Sequence, residues 1–285
     1  MNTDRLAHLV TVLILVPCLA GCGAPVTLTA PAPLAPAPAT AAPTLTATLA
    51  PPALATGATI TLTWWGQATF VLKTSTGLDV LLDPTGSGTG YKIPTLDGID
   101  LVTTSHEHSD HNAVNLAAGS PLVLKGLAGN DWAKIDQTVQ GVRVRTVGTY
   151  HDDSQGSKRG KNAIFVFDVD GLRLAHLGDQ GHALSPEQVK DIGPVDVILI
   201  PVGGYYTIDA KAAVEVVSQL NPKIVVPMHV KTADLSPSLA GVLAPVDDFI
   251  KIIGNTASVS EVGQTVTLER AKLPAVRTVM VMKYR

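Results

Sequence analysis

Cysteine is almost absent from this chain. Two occur in 285 residues, Cys18 and Cys22, and both lie near the N-terminus. The rest of the sequence therefore holds neither a disulfide scaffold nor a cysteine nucleophile, and the lack of a spare thiol suits an oxidising exterior. Charge is sparse too. Charged residues make up 16% and the formal net charge is −3, with no run of lysine and arginine. That excludes the electrostatic footprint of a non-specific nucleic-acid or acidic-membrane binder. A nucleotide or phosphodiester substrate is not excluded, because metals can supply positive charge locally. The apolar run from Leu9 to Leu19 falls short of the about 20 residues that suit a membrane-spanning helix.

What is present begins with that run. Arg5 and His8 precede it, and Ala20, Gly21 and Cys22 follow. The pattern predicts a cleaved export signal over residues 1–21, with a retained anchor helix as the alternative. Leu19-Ala20-Gly21-Cys22 resembles the bacterial lipoprotein signal box, in which the cysteine is lipidated and becomes the first mature residue. The expectation is an extracytoplasmic protein, anchored to the bacterial cell membrane through lipidated Cys22. Several acyl chains hold firmly where a single one does not. Residues 22–58 are rich in proline, alanine and threonine and contain no charged residue. They read as an extended tether. Residues 59–285 remain for one domain with a real core.

Strand signals dominate that domain. TITLTWW (59–65), ATFVLKTS (68–75) and TGLDVLLDP (76–84) predict a meander. IDLVTTSH (99–106), PLVLKG (121–126), VRVRTVGTYH (142–151), VDVILIPVG (195–203) and KIVVPMH (223–229) predict further strands. NAIFVFDVDGLRLAHLGD (162–179) predicts a hairpin turning at Asp170-Gly171. SPEQVKDIG (185–193) carries a helix-capping signature at Ser185 and Gln188. TIDAKAAVEVVSQLN (207–221) predicts a helix burying Ala210, Ala213, Val214, Val217 and Leu220. Residues 260–270 and 276–284 are late strand candidates, and 247–253 is ambiguous. The mixture predicts two packed sheets covered by helices rather than one parallel sheet.

The chemistry concentrates at His106-Glu107-His108-Ser109-Asp110-His111, where a buried strand runs out into a loop. In extended chain His106 and His108 share a side, and Asp110 and His111 approach as the chain turns. Imidazole with carboxylate suits zinc, iron or manganese rather than calcium. The alternative, a polar surface loop, gains little from such crowding. His151, Asp179 and His229 each follow a separate strand. Seven candidate ligands exceed the need of one tetrahedral zinc and match the supply for two metals.

HEHSDH matches the motif His-x-His-x-Asp-His. With WWGQATFVLKT, LLDP, HLGD, IPVGGYYTIDAKAA and PKIVVPMH, the chain resembles the metallo-β-lactamase superfamily, in its ascorbate-6-phosphate-lactonase-like branch, over roughly residues 60–253. The resemblance implies an α/β fold, the four-layer αββα sandwich of two mixed sheets with outer helices. It implies one metal on His106, His108 and His151, another on Asp110, His111 and His229, and Asp179 bridging them. A hydroxide between two divalent ions would be the nucleophile. Zinc is the first expectation, with manganese or iron as alternatives. Asp110, Asp179 and His182 are the expected catalytic residues, Asp110 both binding metal and orienting the hydroxide. Two departures stand out: Gln67 where branch members often carry histidine, and Val230 where they often carry tyrosine.

The remaining candidates are less specific. His182 stands to touch substrate or back the site, or to be a loop histidine. His176 reads as packed, and Glu107 as holding its loop by a salt bridge or backbone bonds. Asp83, in LLDP, is expected to fix the ligand loops by hydrogen bonds. Lys158, Arg159 and Lys161 form a basic loop suited to an anionic group, or a solvated hairpin. Gly203 and Gly204 allow close backbone approach, and Tyr205 or Tyr206 would wall the pocket. The function expected is hydrolysis of an ester, lactone or phosphodiester bond in a small, anionic substrate, without nucleic-acid partners. The rivals are an iron oxidoreductase in the same cage and a surface binding protein that keeps the fold and metals.

Overall fold

Alternation sets the first strand. In Thr59–Trp64, Ile60, Leu62 and Trp64 are buried and the residues between them half-buried, as a strand with one face on a core requires. The computed structural model describes residues 57–285. The export signal, the Cys22 box and the tether before Gly57 lie outside the described residues.

The strands in chain order are β1 (Thr59–Trp64), β2 (Phe70–Lys73), β3 (Asp79–Leu82), β4 (Leu101–Thr104), β5 (Leu122–Lys125), β6 (Leu127–Ala128), β7 (Asp131–Trp132) and β8 (Asp136–Val139). There follow β9 (Val142–Tyr150), β10 (Lys161–Val169), β11 (Leu172–His176), β12 (Val197–Pro201), β13 (Ile224–Met228), β14 (Ser258–Val262), β15 (Thr265–Glu269) and β16 (Thr278–Met282). Six form one sheet in the order β15-β1-β2-β3-β4-β5, and eight form another in the order β14-β16-β13-β12-β11-β10-β9-β8. Both are mixed. β1, β2 and β3 pair antiparallel as the predicted meander, whereas β3, β4 and β5 run parallel. In the larger sheet β8 to β11 are antiparallel neighbours and β11, β12 and β13 are parallel.

The sheets enclose the main core. Phe70, Leu72 and Leu82 of one meet Phe165, Phe167, Leu199 and Val226 of the other in a single apolar cluster. The opposite face of the eight-stranded sheet carries a second cluster. There Ile164, Ile198 and Val225 pack under helices α1 (Pro186–Ile192), α2 (Ala210–Leu220) and α4 (Val246–Ile253). Short α3 (Pro237–Ala240) precedes α4. The outer face of the six-stranded sheet is covered more thinly. Val71, Leu81 and Val102 pack with Trp65, Val114 and Leu116, the last two on a single 3₁₀ turn, Val114–Leu116. Trp64 and Trp65 therefore face opposite ways, one into the core and one outward.

Local chemistry explains most boundaries. Ser185 and Gln188 form the predicted capping box on α1. Asp209 caps α2, and Asn221 ends it in the left-handed conformation, where asparagine is tolerated. Asp170 and Gly171 both take positive φ, 48° and 75°, as a tight hairpin turn requires. Three expectations change. α2 buries Val216 rather than Val214: the two flank the stripe through 210, 213, 217 and 220 on opposite sides, and the second apolar cluster covers the 216 side fully and the 214 side only in part. The ambiguous 247–253 is helix α4, with Phe249 and Ile253 inward. The candidate strand 260–270 is two strands in different sheets, β14 and β15, parted at Gly263-Gln264.

Phe165 is fully buried between the sheets. Phe165→Ala is expected to cost about 3–5 kcal/mol of stability. Urea unfolding would read this as a lower midpoint with an unchanged slope.

Candidate metal centre

Four strand ends converge on one region. β4 stops at Thr104, and Ser105–His111 turns back on itself, the His111 N–H donating to the His108 carbonyl at 3.0 Å. His151 follows β9, Asp179 lies three residues beyond β11, and His229 follows β13. The backbone is strained there: Gln67, Asp83, Tyr205 and His229 all take φ between 41° and 58°. Such conformations cost about 1–3 kcal/mol each and gather at functional sites. Gly203 permits a close approach, since a Cβ there would lie 2.1 Å from the His229 carbonyl oxygen.

All seven expected ligands meet. The ligating atoms of His106, His108 and His151 lie within 4.8 Å of one another, and so do those of Asp110, His111, Asp179 and His229. The Asp179 carboxylate faces both groups. Its Oδ2 lies 3.1 Å from His151 Nε2, 3.6 Å from His229 Nε2 and 3.9 Å from His106 Nε2, while Oδ1 lies 3.1 Å from His111 Nε2. Asp110 Oδ2 stands 3.6 Å from His111 Nε2 and 3.9 Å from His229 Nε2.

These donors fit metal ions. His111 Nε2 and Asp179 Oδ1 are buried and close, yet neither makes a hydrogen bond. Buried ligand-type atoms left this close without an aligned hydrogen bond are what a shared cation would satisfy. Ligands about 2.0 Å from a tetrahedral zinc are about 3.3 Å apart, and the separations above bracket that value.

One carboxylate sets two imidazole tautomers. Asp83 is fully buried, and its Oδ1 accepts the Ser105 N–H at 2.6 Å. Its Oδ2 accepts the Ser105 hydroxyl at 2.5 Å and His111 Nδ1–H at 2.8 Å. With its own O–H directed at Asp83, the Ser105 oxygen accepts His106 Nδ1–H at 2.9 Å. Both imidazoles thus turn Nε2 toward the cluster. Asp83 itself lies within 4.8 Å of His106 and His111, but these bonds occupy it as their support. Ser105 carries no signal in the sequence beyond standing next to His106. Asn162 was also illegible: its Oδ1 accepts the Asp179 N–H at 3.0 Å, and its Nδ2 donates to Thr149 Oγ1 and the Leu177 carbonyl. The only hint was a polar residue at the head of an apolar strand.

The other candidates fall around this cluster. Gln67 is buried and donates from Nε2 to Asp110 Oδ2 at 3.2 Å. His176 donates from Nε2 to the Ala68 carbonyl at 2.8 Å and accepts the Gly178 N–H on Nδ1, a neutral packed ring whose pKa burial lowers. His182 is not gathered with the seven. Its Nε2 accepts the Tyr150 N–H at 3.2 Å and its Nδ1–H donates to the Ala183 carbonyl at 2.6 Å. Glu107 pairs with Lys125 at 3.2 Å. A cleft of about 640 Å³ opens on His108, Asp110, His151 and Asp179, and is walled by Lys158, Arg159 and Tyr206. Its floor includes Gly86–Thr89, which sequence reasoning missed.

Burial, then the neighbouring imidazoles, push His106 and His108 below the ordinary histidine value. Burial also opposes charge on His111, but Asp179 and Asp110 outweigh it and raise that ring well above 6.5. Burial disfavours charge on Asp179 too, yet His111, His229 and His151 hold it well below the usual carboxylate range. Without metal, His111 therefore keeps a proton at neutral pH, and a cation must displace it. Metal uptake is expected to release protons. Affinity should weaken as pH falls, by about tenfold per unit per displaced proton. Calorimetry in buffers of different ionisation enthalpy measures this, and uptake without proton release would contradict it.

Comparison with known proteins agrees with this geometry. Residues 61–229 match the family description "Beta-lactamase superfamily domain". A UPF0173 metal-dependent hydrolase of Anaeromyxobacter dehalogenans is 36% identical over 225 residues, covering 67% of this chain and 81% of the relative. One from Archaeoglobus fulgidus is 29% identical over 197 residues, covering 61% and 84%. The crystal structure of a protein named as a candidate Zn-dependent hydrolase of the metallo-β-lactamase superfamily, from Thermotoga maritima, superposes with TM-score 0.62 at 39% identity. It covers 78% of this chain and 98% of that one. With the α/β sandwich of two mixed sheets and the convergent histidine–aspartate cluster, these matches establish that the chain belongs to the metallo-β-lactamase superfamily, as a metal-dependent hydrolase related to the UPF0173 proteins.

Proposed function

We propose that the chain is a two-metal hydrolase that cuts an ester, lactone or phosphodiester bond in a small molecule. The observation that carries this is the Asp179 carboxylate, which faces two complementary ligand groups at once. His106, His108 and His151 would hold one divalent ion and Asp110, His111 and His229 the other, with Asp179 shared. The nitrogen and oxygen donors suit zinc, and the Thermotoga relative is named Zn-dependent; manganese and iron suit the same donors. When bound, the ions supply Lewis acidity, polarising the bond to be cut and acidifying a coordinated water.

The chain's own groups do the positioning. Asp83 and Ser105 fix the rings of His111 and His106. Asp110 is oriented by the Gln67 amide, which donates a hydrogen bond but cannot take a proton. No acid step is therefore assigned to position 67. With both ring nitrogens on backbone groups, His182 acts as a positioning residue, joining the Tyr150 strand end to the 178–183 turn. The cleft beside the ligands admits a small molecule, and the lactonase-like motifs favour a lactone or phosphodiester. The sequence around Cys22 supports export and lipid anchoring of this activity, so Cys22→Ala should move the protein from the membrane to the soluble fraction.

The test is turnover of a 4-nitrophenyl ester, a lactone and bis(4-nitrophenyl) phosphate by the metal-loaded chain. At least one class should be hydrolysed, and Asp179→Asn should lower that rate at least about a hundredfold. A metal-loaded chain inert toward all three would favour a surface binding protein.

A further inference from the structure

The loop after His151 is built to fix an arginine beside the metal cleft. Its neck is closed by the His151 N–H donating to the Gly160 carbonyl at 3.0 Å. Within it, Asp152 is 4% exposed and its carboxylate accepts four backbone N–H groups. Oδ1 takes those of Ser154 at 2.8 Å and Gly156 at 2.9 Å, and Oδ2 those of Lys158 at 3.0 Å and Arg159 at 2.7 Å. The loop is also seated on the turn that bears Asp179. A Cβ at Gly181 would lie 2.2 Å from Asp152 N, so no side chain separates the two.

The side chain of Arg159 is held at its tip as well. One guanidinium nitrogen donates to the Tyr205 carbonyl at 3.0 Å, and the guanidinium carbon lies 5.5 Å from the centre of the Tyr206 ring. Its charge is not neutralised. Among the described residues no carboxylate comes within 4.0 Å of it, whereas Arg143, Arg173 and Arg270 each pair with an aspartate. The neighbouring Lys158 ammonium is taken by Asp153 at 2.9 Å. Arg159 lines the same cleft as Asp110, His151 and Asp179, and also lines a second cleft of about 500 Å³ that it shares with His106 and His108. A guanidinium has five N–H donors in a planar fork that matches carboxylate and phosphate oxygens. One bond to Tyr205 leaves most of that fork free, and its prior fixation reduces the ordering cost on binding.

We propose that Arg159 is a substrate-binding residue, gripping a carboxylate or phosphate group of the substrate while the bond to be cut lies at the metal ligands. This rests on the hydrolase reading above and adds the substrate class, an oxyanion-bearing ester, lactone or phosphodiester. The Asp152 bonds set the loop, the Tyr205 carbonyl and Tyr206 ring set the side chain, and the free fork meets the anion. A purely structural role, pinning the Tyr205 turn, would affect substrates with and without an anionic group alike.

The test uses the metal-loaded full chain and two esters that differ by one terminal carboxylate, mono-4-nitrophenyl glutarate and 4-nitrophenyl pentanoate. The parent should favour the glutarate in kcat/KM. Arg159→Met should reduce that preference at least about tenfold, through KM, and Arg159→Lys should restore part of it. Equal preference in the parent and Arg159→Met would overturn the proposal. If neither ester is cut, ester hydrolysis fails as the activity, and calorimetric titration of the same proteins with glutarate and with propyl phosphate decides the arginine's role. Weaker binding of either anion to Arg159→Met, at equal metal content, supports the grip, and the tighter ligand names the oxyanion. Equal affinities for both anions in the parent and the variant would overturn it.

Discussion

A buried carboxylate surrounded by imidazoles is the interaction on which the rest of this structure depends. Asp179 is 2% exposed, and four histidine nitrogens stand within 3.9 Å of it. Taking so many polar groups from water is unfavourable unless they are paired. Protons satisfy part of this cluster, through His111, but they cannot satisfy donors whose lone pairs converge on shared points. Cations can. Four of the ligands come from the one loop after β4, and His151, Asp179 and His229 come from the ends of three other strands, so four strand ends meet at one edge of the sandwich.

The surrounding fold holds these groups still. Asp83 reaches His111 directly and His106 through Ser105, so one buried acid orients parts of both ligand groups. Asn162 ties the strand ends that carry His151 and Asp179. Gly203 lets the backbone of the cleft wall close on His229, and several residues keep left-handed conformations that a relaxed chain would avoid. Strain of this kind persists only where packing over-determines it. Here the packing comes from two apolar clusters, one between the sheets and one beneath α1, α2 and α4. The site is therefore an edge property of a rigid sandwich, and the loops that shape the cleft can vary around it.

Much of this was legible in the sequence because it is local. Alternating and wholly apolar runs marked β1 to β4, Asp170-Gly171 marked the β10–β11 hairpin, Ser185 marked a helix start, and HEHSDH with three strand-end residues marked the ligands. What was not legible depends on distant partners. The strand candidate at 260–270 reads continuously, yet Gly263 and Gln264 divide it between two sheets. Val214 and Val216 are equally apolar, and only the sheet beneath α2 decides which is buried. Ser105 and Asn162 gain their roles from residues 22 and 17 positions away, which no spacing reveals. The basic loop was visible as composition, but the Asp152 turn that fixes Arg159 appears only in three dimensions.

The central claim is that Asp179 joins two metal positions rather than serving one. The most direct test is to count metal ions per chain by elemental analysis of purified protein, together with His108→Ala and His229→Ala, which each remove a ligand from only one group. Two ions are expected in the parent and about one in each variant. A parent that binds a single ion, lost alike in both variants, would contradict it.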